Sequence, residues 1–242
     1  MTQWDGIRMR VRAWRYRHKL DRAEIRFVRE HLRPGDAALD IGAHKGGYAY
    51  WMCRAVGPAG RVICFEPQPQ LADYLRRMEL ALGFDQLTVE NMGVSSTNGE
   101  LTLHVPGGRP SPGSTLEAGL AEGGAAYKVR VTKLDDYFRE HPPERLALVK
   151  CDVEGHELDV FRGGQELLRT QRPVVLFECE ERHHTRYTSR DVFDYLANLG
   201  FEGFFFSRGT LQPLRDFHPS EHGDPAVPGY ANNFLFRPRP RQ

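Results

Sequence analysis

The feature that most narrows the folds open to this chain is an alternation beginning at Arg33. Short apolar runs of strand length keep trading places with longer stretches of helical periodicity. Residues 37–41, 61–65, 87–90, 146–151 and 173–177 read as strands. Several are apolar on both alternating positions, which marks a parallel sheet buried on both faces. Between them, 48–56 and 70–82 read as helices; the second carries Leu71, Tyr74, Leu75, Met78 and Leu82 at helical spacing. Residues 134–139 predict a helical turn, and 157–169 a helix interrupted at Gly163 and Gly164. Ser189 is expected to cap a last helix running to Leu199, ended by Gly200. Residues 201–206 and 233–236 predict a closing antiparallel pair, 100–105 a half-exposed strand and 128–131 an added one. The stretch 106–124 holds six glycines and three prolines without periodicity and predicts a loop, long enough to suggest a functional role.

The expected fold is therefore α/β, with a mostly parallel central sheet, helices on both faces and one antiparallel strand pair. At 242 residues the chain allows one to two domains. We read 1–32 as a basic helical segment and 33–242 as one domain. That first segment, taken to Arg33, holds ten basic residues against four acidic ones, although the whole chain is at +1. Trp4, Ile7, Val11, Trp14 and Leu20 recur near helical spacing, which predicts an amphipathic helix with a solvated Arg face rather than a nucleic-acid arm. No apolar run approaches the roughly 20 residues of a membrane span, and no signal-like apolar region opens the chain, so a cytoplasmic setting without membrane insertion is expected. Cys53, Cys64, Cys151 and Cys179 lack metal-ligand spacing and read as buried thiols.

The chemistry gathers at strand ends. The first strand runs into Asp40-Ile41-Gly42-Ala43-His44-Lys45-Gly46-Gly47-Tyr48. Glycines at 42 and 46 permit a tight turn against a ligand. The pattern is not GxGxxG, and an acid at the strand end repels a pyrophosphate while suiting an ammonium group. Glu66 closes the second strand 26 residues after Asp40, where a carboxylate can accept both hydroxyls of a ribose. Acid, glycine loop and second acid together point to S-adenosylmethionine. Further along, the strand 146–151 emits Asp152 and Glu154 at its carboxyl end, with alternation expected to put both on one side. Glu178 closes the next strand, and His183 follows as a candidate proton acceptor. A structural reading, in which Glu154 pairs with Lys150 or an Arg, stays open. His156 is expected to cap or pack. Tyr127, Tyr230 and Phe204–Phe206 invite stacking on adenine or an aromatic acceptor, with core packing favoured for the phenylalanines because they lie in an expected strand.

These motifs carry a resemblance. Asp40-Ile41-Gly42-Ala43 with Gly46 and Tyr48, Phe65-Glu66-Pro67, Asn91 to Ser95, Thr132 to Tyr137 and the run Lys150 to Glu157 together resemble the FkbM family of methyltransferases. The likeness runs from about Arg33 to Phe206. It implies a Rossmann-like class I methyltransferase fold and S-adenosylmethionine as cofactor. It also implies O-methylation of a sugar, polyketide or other natural product. His44 and Lys133 depart from the family's more usual Asn and Thr. The resemblance places the cofactor at Asp40, Gly42, Ala43, His44, Gly46, Tyr48, Glu66, Pro67, Gly93, Val94 and Asp152. The strand-end reading places the acceptor chemistry at Asp152, Glu154, Glu178 and His183, and the resemblance puts the hydroxyl-rich run 111–116 near the acceptor. Metal-free catalysis is favoured over a divalent ion joining Asp152 and Glu178. An RNA or protein methyltransferase and a non-catalytic cofactor-binding module remain alternative readings. The expected partner is a small-molecule hydroxyl acceptor; a homodimer stays open.

Overall fold

The computed structural model describes residues 3–117, 124–140 and 142–240. Its elements in order are α1 (Gln3–His18), α2 (Arg22–His31), β1 (Ala37–Ile41), α3 (Gly47–Val56), β2 (Arg61–Phe65), α4 (Pro69–Leu82), β3 (Leu87–Glu90), β4 (Gly93–Val94) and β5 (Gly99–Val105). Then come β6 (Ala125–Thr132), α5 (Leu134–Glu140), β7 (Leu146–Cys151), α6 (Glu157–Gly163), α7 (Gln165–Gln171), β8 (Val174–Glu178), α8 (Ser189–Asn198), β9 (Phe201–Ser207), β10 (Thr210–Pro213), α9 (Pro219–His222) and β11 (Asn233–Pro238).

Eight strands form the central sheet in the order β10-β9-β11-β8-β7-β1-β2-β3. From β8 to β3 the pairing is parallel, whereas β11 runs antiparallel to both β8 and β9. All five residues of β1 and all six of β7 are buried, as continuous apolar runs between two helical layers require. The chain proceeds outward from β1 to β2 and β3 on one side and returns to β7 and β8 on the other. The carboxyl ends of β1 and β7 thus form the switch point at which open α/β sheets bind ligands.

Four features depart from the sequence reading. The expected strand 128–131 is longer and stays out of the main sheet. It pairs with β5 and β4 in a separate three-stranded sheet over Leu103, Val105, Val129 and Val131. The loop 106–124 begins with a 3₁₀ turn at Pro106–Gly108 and is tied back by a bridge between His104 and Thr115; residues 118–123 lie outside the described ones. The cap of α8 is Thr188 rather than Ser189: Thr188 and Asp191 bond each other's backbone N–H in a capping box. Finally, α1 turns over. Met9 and Ala13 are buried, while Ile7, Val11 and Trp14, expected to face inward, are at least half exposed. The helix is held by contacts with α2, α3 and α4 and by the indole of Trp51, which donates to the carbonyl of Ala13 at 2.9 Å. Small Ala13 and flexible Met9 fit that close approach better than Trp14 or Val11.

Candidate active site at the carboxyl ends of β1 and β7

The loop leaving β1 is shaped by one steric fact. Gly42 has φ +78°, and a Cβ there would lie 1.8 Å from the carbonyl oxygen of Asp152. Only glycine lets this loop cross the end of β7 so closely. The N–H groups of Gly42 and Ala43 donate to the carbonyl of Phe65, locking the turn to β2. Gly46 serves another purpose than the one expected. A Cβ there would meet Leu75 and Met78 within 3 Å, so its role is close packing of α3 on α4, not approach to a ligand. His44 sits at φ 47°, in the left-handed region, and donates its N–H to Glu66 Oε2 at 2.8 Å.

Glu66 is buried, and Gln68 N–H donates to its other oxygen at 2.8 Å. Burial pushes its pKa up to about 7 despite these two backbone donors. Around it lies a narrow cleft of about 40 Å³ lined by Gly42, Pro67, Gly93, Val94, Ser111 and Pro112 among others. The Gln68 side chain clasps Ser111 reciprocally: Nε2 donates to its carbonyl at 3.0 Å and Oε1 accepts its N–H at 3.1 Å. The hydroxyl-rich loop is thereby held over the cleft.

A second cavity of about 260 Å³ adjoins the first, sharing Gly42, His44, Pro112 and Asp152. Asp40, Tyr48, Lys150, Glu154 and Glu178 also line it. Asp40 is buried, its Oδ2 has no hydrogen-bond partner among the described residues, and burial lifts its pKa to about 7. Lys150 is the residue that sequence reasoning passed over as a site residue. It is a fully buried lysine inside an apolar strand, and that oddity was the available signal. Burial disfavours its charge, but Asp152, Glu178 and Asp40 outweigh this and raise its pKa. Its ammonium is 3.6 Å from Asp152 Oδ2 and 5.0 Å from the centre of the Tyr48 ring. Glu178 accepts from Asn232 at 2.7 Å, and burial with neighbouring acids pushes its pKa to about 9. That shift favours its protonated, hydrogen-bond-donating form.

Glu154 reaches this cavity for a different reason than strand alternation, because β7 ends at Cys151. It stands in a loop at φ 52°, and its partner is neither Lys150 nor an Arg. Its Oε2 lies 2.6 Å from Nδ1 of His183, in a 3₁₀ turn at Glu181–His183 after β8. Gly155 makes the meeting possible: a Cβ there would strike the His183 carbonyl at 2.0 Å. The Glu154 contact raises the His183 pKa against burial, which lowers it. With Nδ1 donating to the carboxylate, Nε2 is left as the acceptor position.

Asp152, Glu154 and Glu178 are thus brought together on one cavity wall, whereas His183 lines neither cavity and meets the site only through Glu154. His156 occupies the N-cap position of α6, but its side chain makes no cap. It bridges Ser95 and Glu117 in a buried network completed by Asp159 and Arg186. Among the described residues, two groups could share an ion, this one and Glu157 with Cys179 and His184; neither includes Asp152 or Glu178. Phe205 and Phe206 are core, Tyr127 packs against the small sheet, and Tyr230 stands outside both cavities.

A parallel sheet with this strand order, a glycine loop after β1, an acid ending β2 and two cavities meeting at the switch point defines a class I S-adenosylmethionine-dependent methyltransferase. The methyltransferase FkbM domain matches residues 40–202, and the chain belongs to that family. A crystal structure of an FkbM methyltransferase from Methylobacillus flagellatus KT shares the fold at TM-score 0.51 and 16% identity, over 88% of this chain and 50% of that one. The present chain therefore spans about half the length of that protein. An O-methyltransferase from Bacillus cereus in complex with SAH does so at TM-score 0.52 and 13% identity, over 90% and 79%. In sequence, the chain is 26% identical over 200 residues to the 2-O-methyltransferase NoeI of Sinorhizobium fredii, covering 74% of this chain and 81% of that protein. It is 26% identical over 165 residues to the hexuronic acid methyltransferase AglP of Haloferax volcanii, covering 67% and 64%.

Proposed function

We propose that this protein methylates a hydroxyl oxygen of a small molecule, of the sugar or related natural-product class, with His183 as the base. The observation that carries the reading is the 2.6 Å contact between His183 Nδ1 and Oε2 of Glu154, a residue that lines the acid-rich cavity. Bound S-adenosylmethionine supplies an electrophilic methyl carbon on a sulfonium.

The residues suit that cofactor. Asp40 Oδ2 is a buried carboxylate oxygen without a partner among the described residues, and it suits an ammonium. Glu66 is held by two backbone donors with lone pairs to spare for hydroxyls. The Gly42 turn, which only glycine allows against the Asp152 carbonyl, brings loop backbone to the wall shared by both cavities. Gly93, Val94 and Pro67 supply apolar walls to the cleft beside Glu66.

Glu154 fixes the His183 ring and stabilises the imidazolium formed when Nε2 takes the acceptor's proton. Lys150 tempers the negative charge of Asp40 and Asp152, and protonated Glu178 can donate to an acceptor oxygen. Much of the remaining acceleration comes from holding the hydroxyl in line and excluding water. The names of NoeI and AglP, a 2-O-methyltransferase and a hexuronic acid methyltransferase, favour a sugar acceptor.

The test is incubation with methyl-labelled S-adenosylmethionine and a panel of hexoses, hexuronic acids and their oligomers. The expected product carries label in an alkali-stable methyl ether. Label found only in an alkali-labile ester, in protein or in RNA would overturn the reading.

A further inference from the structure

The outward face of α1 is built for a surface that is apolar and anionic at once. Ile7, Val11 and Trp14 are 50%, 53% and 50% exposed, and their spacing of four and three stacks them on one line of the helix. His18 continues the line, its ring 5.0 Å from that of Trp14. Helical geometry puts Arg8, Arg15 and Lys19 along one flank of this stripe and Arg10 along the other, and all four are exposed. Among the described residues Arg8, Arg10 and Arg15 enter no ion pair. The opposite face, with Met9 and Ala13, is already committed to the core, so the stripe is not left over from packing.

We propose that α1 is an interfacial helix that docks the protein on an anionic phospholipid surface, with Ile7, Val11 and Trp14 entering the headgroup boundary and the flanking arginines pairing with lipid phosphates. The arrangement separates this occupant from two others. A nucleic-acid backbone has no use for outward Ile7 and Val11, and a second copy laid on this face would bring rows of arginine together. Among the described residues no helix is long and apolar enough to cross a membrane, so the contact is adsorption. Leu20, 54% exposed just beyond α1, lines the cavity that holds Asp40 and Glu154, as does Tyr16 on the inward side of the helix.

The test is flotation of the full-length protein with vesicles of phosphatidylcholine alone and of phosphatidylcholine mixed with phosphatidylglycerol. Binding is expected to the mixed vesicles, weakened by salt, and not to phosphatidylcholine alone. The variant Ile7→Gln/Val11→Gln/Trp14→Gln is expected to bind at least about tenfold more weakly. Arg8→Gln/Arg15→Gln is expected to lose about fivefold per charge removed. Both should keep the wild-type unfolding temperature, since all five side chains point outward. Failure to float with anionic vesicles, or wild-type binding by the triple variant, would overturn the proposal. So would a triple variant that keeps its lipid binding but loses an RNA complex or falls from dimer to monomer.

Discussion

At the scale of single residues, the chemistry turns on contacts that set protonation. His183 has its pKa raised by the hydrogen bond to Glu154, so its neutral, proton-accepting form appears only above the usual imidazole value of about 6.5. Turnover should therefore rise with pH through that raised value. In Glu154→Gln the acid limb should shift to lower pH while the plateau falls, because the carboxylate that holds the ring is gone; an unshifted limb in a pH–rate profile would assign the titration elsewhere. His183→Ala should lower kcat by about 10² to 10⁴ while cofactor affinity, read by calorimetry, stays within a few fold. Glu66→Ala should act the other way. Losing charge-assisted hydrogen bonds to two hydroxyls should weaken the cofactor by about 1.5–3 kcal/mol, a tenfold to hundredfold rise in Kd. Asp40 and Glu66 stood out in the sequence because each ends an apolar strand. Lys150 carries no such signal of a role, since its importance comes from Asp152 at the end of its own strand together with Asp40 and Glu178, which β1 and β8 bring around it.

At the scale of elements, the loop 106–124 showed in sequence only as glycine, proline and a lack of period. The structure ties its near end down at both sides. Gln68 clasps Ser111, and Glu117, almost fully buried, is gripped by both prongs of Arg186 at 2.6 and 2.8 Å and by His156 at 2.7 Å. Burial alone would raise the Glu117 pKa; the guanidinium and imidazole hold it near 2. Arg186 reaches across from the segment before α8 to Asp159 on α6 as well, so one side chain staples loop to helix. Arg186→Ala should cost about 2–3 kcal/mol in denaturant unfolding, the upper range being moderated by the half-exposed guanidinium. It should also speed proteolysis within 106–124. Arg186→Lys should restore little, because an ammonium cannot grip a carboxylate with a fork. No spacing rule could join Glu117 to Arg186, which lie 69 residues apart.

At the scale of the whole molecule, buried acids give stability an unusual pH course. Glu24, Asp40 and Glu66 are pushed to about 7 and Glu178 to about 9, chiefly by burial. Unfolded, these groups titrate near about 4. Between the two values the folded state holds the extra protons, so their contribution is complete below about pH 4 and is lost as pH climbs through 7 to 9. Glu117, held near 2, works in reverse: its contribution is present above about 4.3 and lost as pH falls toward 2. The unfolding temperature of the cofactor-free protein should be highest at or just below about pH 4 and fall by several degrees toward pH 8. A rise over that range in scanning calorimetry would mean the acids are not buried as described. What the linear order of residues carried was whatever depends on local periodicity and strand termini: the parallel sheet, its crossover helices, the acids at strand ends and the glycine loop. Backbone geometry and burial act over a few residues, and both leave a readable pattern. What needed the folded chain was every feature whose cause lies far away in sequence. The face α1 buries depends on the shape of α3 and α4, and the charge of Glu178 on acids from neighbouring strands. The pairing of Glu154 with His183 depends on a turn that only Gly155 can make beneath it. Each is set by distances in space that the sequence does not encode pairwise.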